Sequence, residues 1–478
     1  MKRQLFYATT AALILAACSE PLQEAVEIDN NVENAQSETT ITLSPEEYQL
    51  VTQLINKTPK ISSEAAQDVA MQLLGYNNAS NLMTKSYCIK KNVSCGINKS
   101  AQVENDTAFY VFNAPNDNGF AIISADLRVP QQVLAYSDKG TIIFDTTNVN
   151  PVTDIFLNLA KEYVAECIEI AEEQKDSLTE SIYQKLGIQD DTTLHKGIHT
   201  KKYHEKILLT NMSQKTVTLR TTAEVKPMLK TEWYQEWPFN IQAHDSEYPA
   251  GCVPIATAQL MKYWQYPRSL NNKILYWDNI DEKLNAADHD DLTFFMSHVS
   301  TGVKVKYLIN EDGDKVGRAD SHNALNYLRS LNYSVPPYFY DYKYENVTSS
   351  LNKGCPVYMD GYRKKHKKSG HAWIVDGYIE QTESINAKLT YIVIDVDDNN
   401  NTTTHYEYDT QSNTYSYKYL HINWGWGTKY NGYYCKDVFN ANNRYIKKDD
   451  GSFGIYYNNV DLNYQYNLEI ATDIKPNR

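Results

Sequence analysis

The 478-residue chain lacks any sustained basic region: 46 Lys and Arg stand against 59 Asp and Glu, for a formal net charge of −13. That balance argues against a nucleic-acid partner, whose phosphates need clustered cations. Beyond residue 17 no segment is long and apolar enough to cross a membrane as a helix. Metal-ligand spacing is missing as well. The stretch from Asp395 to Asn401 starts like a calcium loop, but without glycine at its sixth position or glutamate at its twelfth it reads as a solvated hairpin tip. No metal or organic cofactor is expected. Cysteine is sparse, at seven residues. With Cys18 and Cys252 set aside, Cys88, Cys95, Cys167, Cys355 and Cys435 remain, an odd number. Cys88 and Cys95 could bridge in an exported protein, though nothing requires it.

What is present begins at the N-terminus. Lys2 and Arg3 precede an apolar stretch from Leu5 to Ala17 that is too short for a spanning helix and reads as an export signal. It ends Leu15-Ala16-Ala17-Cys18-Ser19, which looks like a bacterial lipobox. That implies cleavage before Cys18, acylation of its sulfur and a durable lipid anchor. Residues 18–43 are polar and acidic, as expected of a flexible tether. Ser44-Pro45-Glu46-Glu47 and Ser62-Ser63-Glu64 are helix starts. Residues 108–113, 119–125 and 132–137 read as strands, and a charged helical stretch follows from Asp154 to about Gln184. Residues 44–186 are therefore expected to be a small α+β domain. Residues 187–225 read as a polar linker.

The chemistry is concentrated further along. Gly251-Cys252-Val253-Pro254 opens a helical segment, with Val253, Ala256, Leu260, Met261 and Trp264 at helical spacing. A thiol at a helix N-terminus feels free N–H groups and the positive end of the dipole, which favour the nucleophilic thiolate. His371 opens an apolar strand, Gly370-His371-Ala372-Trp373-Ile374-Val375-Asp376-Gly377. Asn423 and Trp424 end another, His421-Ile422-Asn423-Trp424-Gly425-Trp426-Gly427. Cysteine, histidine and asparagine occur here in the chain order of papain-like thiol hydrolases. Histidine there deprotonates the thiol and later protonates the leaving group, while asparagine orients the ring.

These segments, with Gln235-Glu236-Trp237-Pro238-Phe239-Asn240 upstream, resemble the streptopain family of cysteine peptidases. The likeness covers scattered blocks from Pro227 to about Tyr434. It implies Cys252 as nucleophile, His371 as general base and acid, and an oxyanion hole from Gln235 and the Cys252 N–H. Asn423 would orient the histidine and Trp424 would shield it. There is no Cys-Gly-Ser-Cys-Trp signature, and the histidine follows the cysteine by 119 positions, a little under papain spacing. The 44–186 region resembles the family's inhibitory prodomain, which places activation cleavage between His199 and Val225, with Leu219-Arg220 the favoured point.

The expectation is an α+β, papain-like catalytic domain over residues 226–478, with the cleft between a helical part carrying Cys252 and a twisted antiparallel sheet carrying His371 and Asn423. Its function would be that of an exported, lipid-anchored cysteine endopeptidase made as a zymogen. Its partners would be peptide substrates, its own prodomain and a membrane. The same thiol chemistry also serves amidases and acyltransferases, and a catalytically inactive surface-binding protein is the third reading.

Overall fold

A computed structural model describes residues 38–40, 43–56, 58–78, 82–93, 102–143, 150, 155–186, 203–243, 246–280, 290–310, 313–363, 366–396, 402–439, 445–447, 453–455 and 466–477. The signal segment, Cys18, most of the tether, Cys95 and the hairpin tip at 397–401 lie outside them. So do residues 187–202 of the expected linker.

The N-terminal part begins with helices α1 (Pro45–Asn56) and α2 (Ser63–Leu74). Their starts follow from the sequence. The Glu47 N–H donates to Ser44 Oγ at 3.2 Å while the Ser44 N–H donates to Glu47 Oε2 at 2.6 Å, a reciprocal capping box. Ser62 Oγ accepts the Ala65 N–H, and α2 stops where Gly75 takes the left-handed conformation. Four antiparallel strands follow: β1 (Met83–Val93), β2 (Gln102–Asn113), β3 (Phe120–Ser124) and β4 (Val133–Ser137). The long helix α3 (Leu157–Leu186) packs Leu159, Ala160 and Val164 beneath them, with Phe156 just before it in the same core.

Residues 203–225 do not form a linker in this structure. They make one strand, β5 (Tyr203–Val225), hydrogen-bonded along β7. Its alternating, Thr- and Val-bearing second half, Thr216-Val217-Thr218-Leu219, suits a pleated surface. Leu219 and Arg220 lie inside that ladder, opposite Glu383 and Thr382.

The C-terminal part sets helices α4 (Cys252–Trp264), α5 (Asp290–Gly302), α6 (Ser321–Ser330) and α7 (Tyr344–Asn352) around strands β6 (Val357–Arg363), β7 (His366–Val396), β8 (Thr402–Asn423), β9 (Gly432–Cys435) and β10 (Tyr466–Ala471). The class is α+β. One sheet runs through both parts in the order β10-β6-β7-β8-β9-β4-β3-β2-β1, with β5 joined to β7. The seam is the β9–β4 pair, where Tyr433 faces Tyr136 and Tyr434 faces Ala135.

The two faces of β7 serve two cores. Ala372 and Ile374 pack with α4, α5 and α6. Trp373 and Val375 face the other way, into a core shared with β2, β3 and α3 of the N-terminal part. Helix α4 is enclosed on all sides from Val253 to Lys262, so it is a central helix and not the one-faced helix its spacing predicts.

Candidate active site

A cleft of about 1730 Å³ opens along the N-terminus of α4. Cys252, Gln235 and His371 all line it, from three separate segments. Cys252 is the first residue of α4. The turn before it is tight: Gly251 has φ 96°, and a Cβ there would lie 2.5 Å from the Gly317 carbonyl oxygen. Only glycine admits that approach and that backbone.

The thiol is not poised as a thiolate in this state. Burial pushes Cys252 up to about 11, and Asp360 nearby adds to the rise. Backbone N–H groups of Ala372, Val253 and Cys252 itself pull the other way. The helix N-terminus thus acts in the expected direction, but desolvation outweighs it.

His371 is 8% exposed. Its Nε2 donates to the Trp424 backbone carbonyl at 2.8 Å, since a carbonyl can only accept. The ring lies against a pair of indoles, Trp373 at 6.0 Å and 15° and Trp424 at 6.2 Å and 27°, which meet each other at 4.9 Å. Burial lowers its pKa to about 4, with the carbonyl bond opposing. Thiol and imidazole are therefore both neutral near pH 7.

Asn423 is placed differently from its expected role. Its Nδ2 donates to the Thr231 carbonyl at 2.9 Å, and its Oδ1 accepts the Gly425 N–H at 3.0 Å. Neither amide atom serves the histidine. The reason is local: β8 ends at Asn423, and the side chain closes the turn that follows, leaving the next carbonyl to meet the ring. Trp424 is fully buried and edge-on to Tyr434; the histidine–asparagine contact it was expected to shield is not made, and its own carbonyl holds the ring instead.

Gln235 is held by its backbone. Its carbonyl accepts the Ala250 N–H at 2.6 Å, and Trp233 accepts the Gly427 N–H at 2.9 Å. Its side-chain amide has no protein partner among the described residues and faces the cleft. The loop bearing it is thereby tied both to the turn before Cys252 and to the turn after Trp424.

Further positions were not singled out from sequence. Thr231 links Asn423 to α4 through a 2.7 Å bond to Gln259 Oε1. Asp376, 1% exposed, accepts the Leu229 N–H at 2.9 Å and meets His421 Nδ1 at 2.6 Å, which fixes the chain entering the C-terminal part. Asp360 lines the cleft from β6. A charged residue in the apolar strand Val357-Tyr358-Met359-Asp360 was a readable signal.

Ile143, Asn150 and Ile155 of the N-terminal part also line the cleft. Residues nearby fasten that side: the Thr141 N–H donates to the Lys429 carbonyl at 2.8 Å, and Ser137 Oγ to the Asn431 carbonyl at 2.7 Å.

Comparison with known proteins agrees with this geometry. The Peptidase C10 family model matches residues 233–293 and 269–434, and the Spi protease inhibitor model matches residues 58–164. Thiol protease/hemagglutinin PrtT of Porphyromonas gingivalis is 22% identical over 312 residues, covering 59% of this chain and 32% of that protein. Streptopain of Streptococcus pyogenes is 26% identical over 308 residues, covering 56% of this chain and 67% of its own. The chain thus spans about a third of the first relative and two thirds of the second. It carries a cysteine peptidase domain of the Peptidase C10 family, preceded by a domain of the Spi protease inhibitor type.

Proposed function

We propose that the protein is an exported cysteine endopeptidase, anchored by lipid at Cys18 and made as an inactive precursor. Residues 226–478 would be the papain-like catalytic domain, residues 44–186 the inhibitory prodomain, and cleavage between them would activate it. The observation carrying this reading is the convergence of Cys252, His371 and Gln235 on one cleft that the N-terminal part also lines.

The chemistry follows from the geometry. With Nε2–H committed to the Trp424 carbonyl, the neutral ring has its lone pair on Nδ1. Nδ1 takes the thiol proton as Sγ attacks the peptide carbonyl carbon. The oxygen that gains charge lies toward the Cys252 N–H and the free Gln235 amide; such a donor contributes about 3–4 kcal/mol in the transition state. The His371 proton then passes to the leaving amine, giving a thioester. Water, deprotonated by the same ring, hydrolyses it.

In the precursor, Ile143, Asn150 and Ile155 add to the walls that desolvate this pair. Their departure would admit water and bring the two pKa values together, toward a thiolate–imidazolium pair.

The test pairs the wild-type precursor with Cys252→Ala, both lacking the signal segment, incubated with reductant and casein. Shortening of the wild type with rising proteolysis, while the variant stays whole and inactive, supports the reading. Equal processing and activity in both would exclude Cys252 as nucleophile.

A further inference from the structure

We infer that Asp360 forms, beside Cys252, a subsite that selects a cationic side chain, Lys or Arg, in the peptide substrate. This rests on the reading of Cys252 and His371 as a peptidase pair and adds a substrate class to it.

Register places the carboxyl. In β6, Asp360 lies opposite Ala372 of β7, the residue whose N–H reaches the Cys252 thiol. Side chains alternate along a strand, so Asp360 shares a face with Tyr358, and across the ladder with Ala372. Those two residues pack on the α4 side of the sheet, which is the cleft side. On its other flank Asp360 is opposite Glu469 of β10, which also lines the cleft.

The carboxyl has little compensation. The Ser321 hydroxyl donates to Oδ2. Among the described residues no Lys or Arg forms an ion pair with Asp360. Its charged neighbours are Glu469 and Asp320, which oppose its ionisation, and His322, which favours it. His322 is already turned to Asp320, with Nδ1 3.0 Å from Oδ1. Asp360, Glu469 and Asp320 thus line the cleft together with His322; Lys304, Lys306, Lys315, Arg318 and Lys429 line the same cleft, and none of them forms an ion pair with Asp360.

Desolvation, with Glu469 and Asp320 adding, raises Asp360 to about 7. A half-buried carboxylate without a cation is poorly compensated, and an incoming ammonium or guanidinium supplies the missing partner. Phe339 lines the same region, its ring 5.7 Å from that of Tyr358, and offers apolar surface to the methylene stem. An apolar substrate side chain fits only while Asp360 stays protonated. Preference for the cation therefore grows as pH rises through about 7.

The full chain, activated in reductant, would be assayed on quenched peptides carrying Lys or norleucine at each position on the acyl side of the scissile bond. One position should favour Lys by roughly tenfold or more in kcat/KM near pH 8, and clearly less near pH 5.5. Asp360→Asn, which keeps an acceptor for Ser321, should erase that preference and its pH dependence, read as the Lys-to-norleucine ratio of kcat/KM within the same variant, so that any change in the Cys252 thiol cancels. If the variant does not fold, the pH dependence of the wild-type ratio decides. Equal cleavage of both series at every position, or a preference that survives Asp360→Asn, would overturn the subsite while leaving the peptidase reading intact. Cleavage of neither series would overturn both.

Discussion

His371 Nε2 is bonded to the backbone oxygen of Trp424, while the amide of Asn423, one residue earlier, braces the loop on Thr231 and Gly425. The group that holds the His371 ring is thus a backbone carbonyl that no substitution can delete. Asn423→Ala should act mainly on stability, costing about 2–5 kcal/mol for two lost buried hydrogen bonds. Thermal denaturation would show this as a lower Tm. Turnover per titrated active site should stay within roughly tenfold of wild type. A collapse of kcat with unchanged Tm would instead assign Asn423 a direct role.

Thiol reactivity should distinguish the precursor from the activated enzyme. With Cys252 at about 11, the thiolate fraction at pH 7 is about one in ten thousand. Alkylation of this residue in the Cys252-containing precursor should be slow at pH 7 and accelerate steadily toward pH 11. After processing, labelling at pH 7 should rise by at least about a hundredfold. Mass-spectrometric rates on the Cys252 peptide measure both. Equal rates before and after processing would contradict the burial argument.

His371 also makes the precursor acid-sensitive. Its folded pKa lies below the ordinary value, so the unfolded chain takes up its proton first as pH falls. The stabilisation is full above pH 6.5 and is lost progressively down to about 4, about 3 kcal/mol over that window. Urea midpoints at pH 7 and near pH 4 should differ less in His371→Phe than in wild type. An identical difference would show that other groups carry the acid sensitivity.

The seam between the two parts can be loosened at one glycine. Gly140 has φ 81°, and a Cβ there would lie 2.1 Å from the Lys429 carbonyl oxygen, beside the residues that fasten the N-terminal part to the cleft. Gly140→Ala should weaken that attachment by about 1–3 kcal/mol and quicken processing in reductant. A gel time course reads the rate, and an unchanged rate would show that this attachment does not hold the precursor closed.

Side-chain chemistry was the legible part of this molecule. The helix carrying Cys252, the strand carrying His371, the helix start at Ser44-Pro45-Glu46-Glu47, and three of the four strands of the N-terminal part announce themselves through residue type and period; β1 (Met83–Val93) is the one not read from sequence. What escaped is carried by backbone and by distance in sequence. The carbonyl of Trp424 has no residue-type signature, so its role was given to the nearest amide. Strand β5 read as a linker because its partner, β7, lies more than a hundred residues away in sequence. The enclosure of α4 depends on helices contributed by distant segments. Desolvation of Cys252, which reverses the expected sign of its shift, depends on all of these together.

The chain of ring contacts running from Phe156 through Tyr434 and Trp424 to His371, edge-on in its first two steps, carries a consequence for what activation would leave behind. Phe156 belongs to the segment that activation would remove, yet its burial, worth about 1.5–3 kcal/mol, is shared with the core beneath the catalytic histidine. A molecule that discards part of its own interior ends shallower in free energy than the one that folded. If activation removes that segment, the durability of what remains would be set by the rate of unfolding, and a denatured copy would lack part of the core it first folded with.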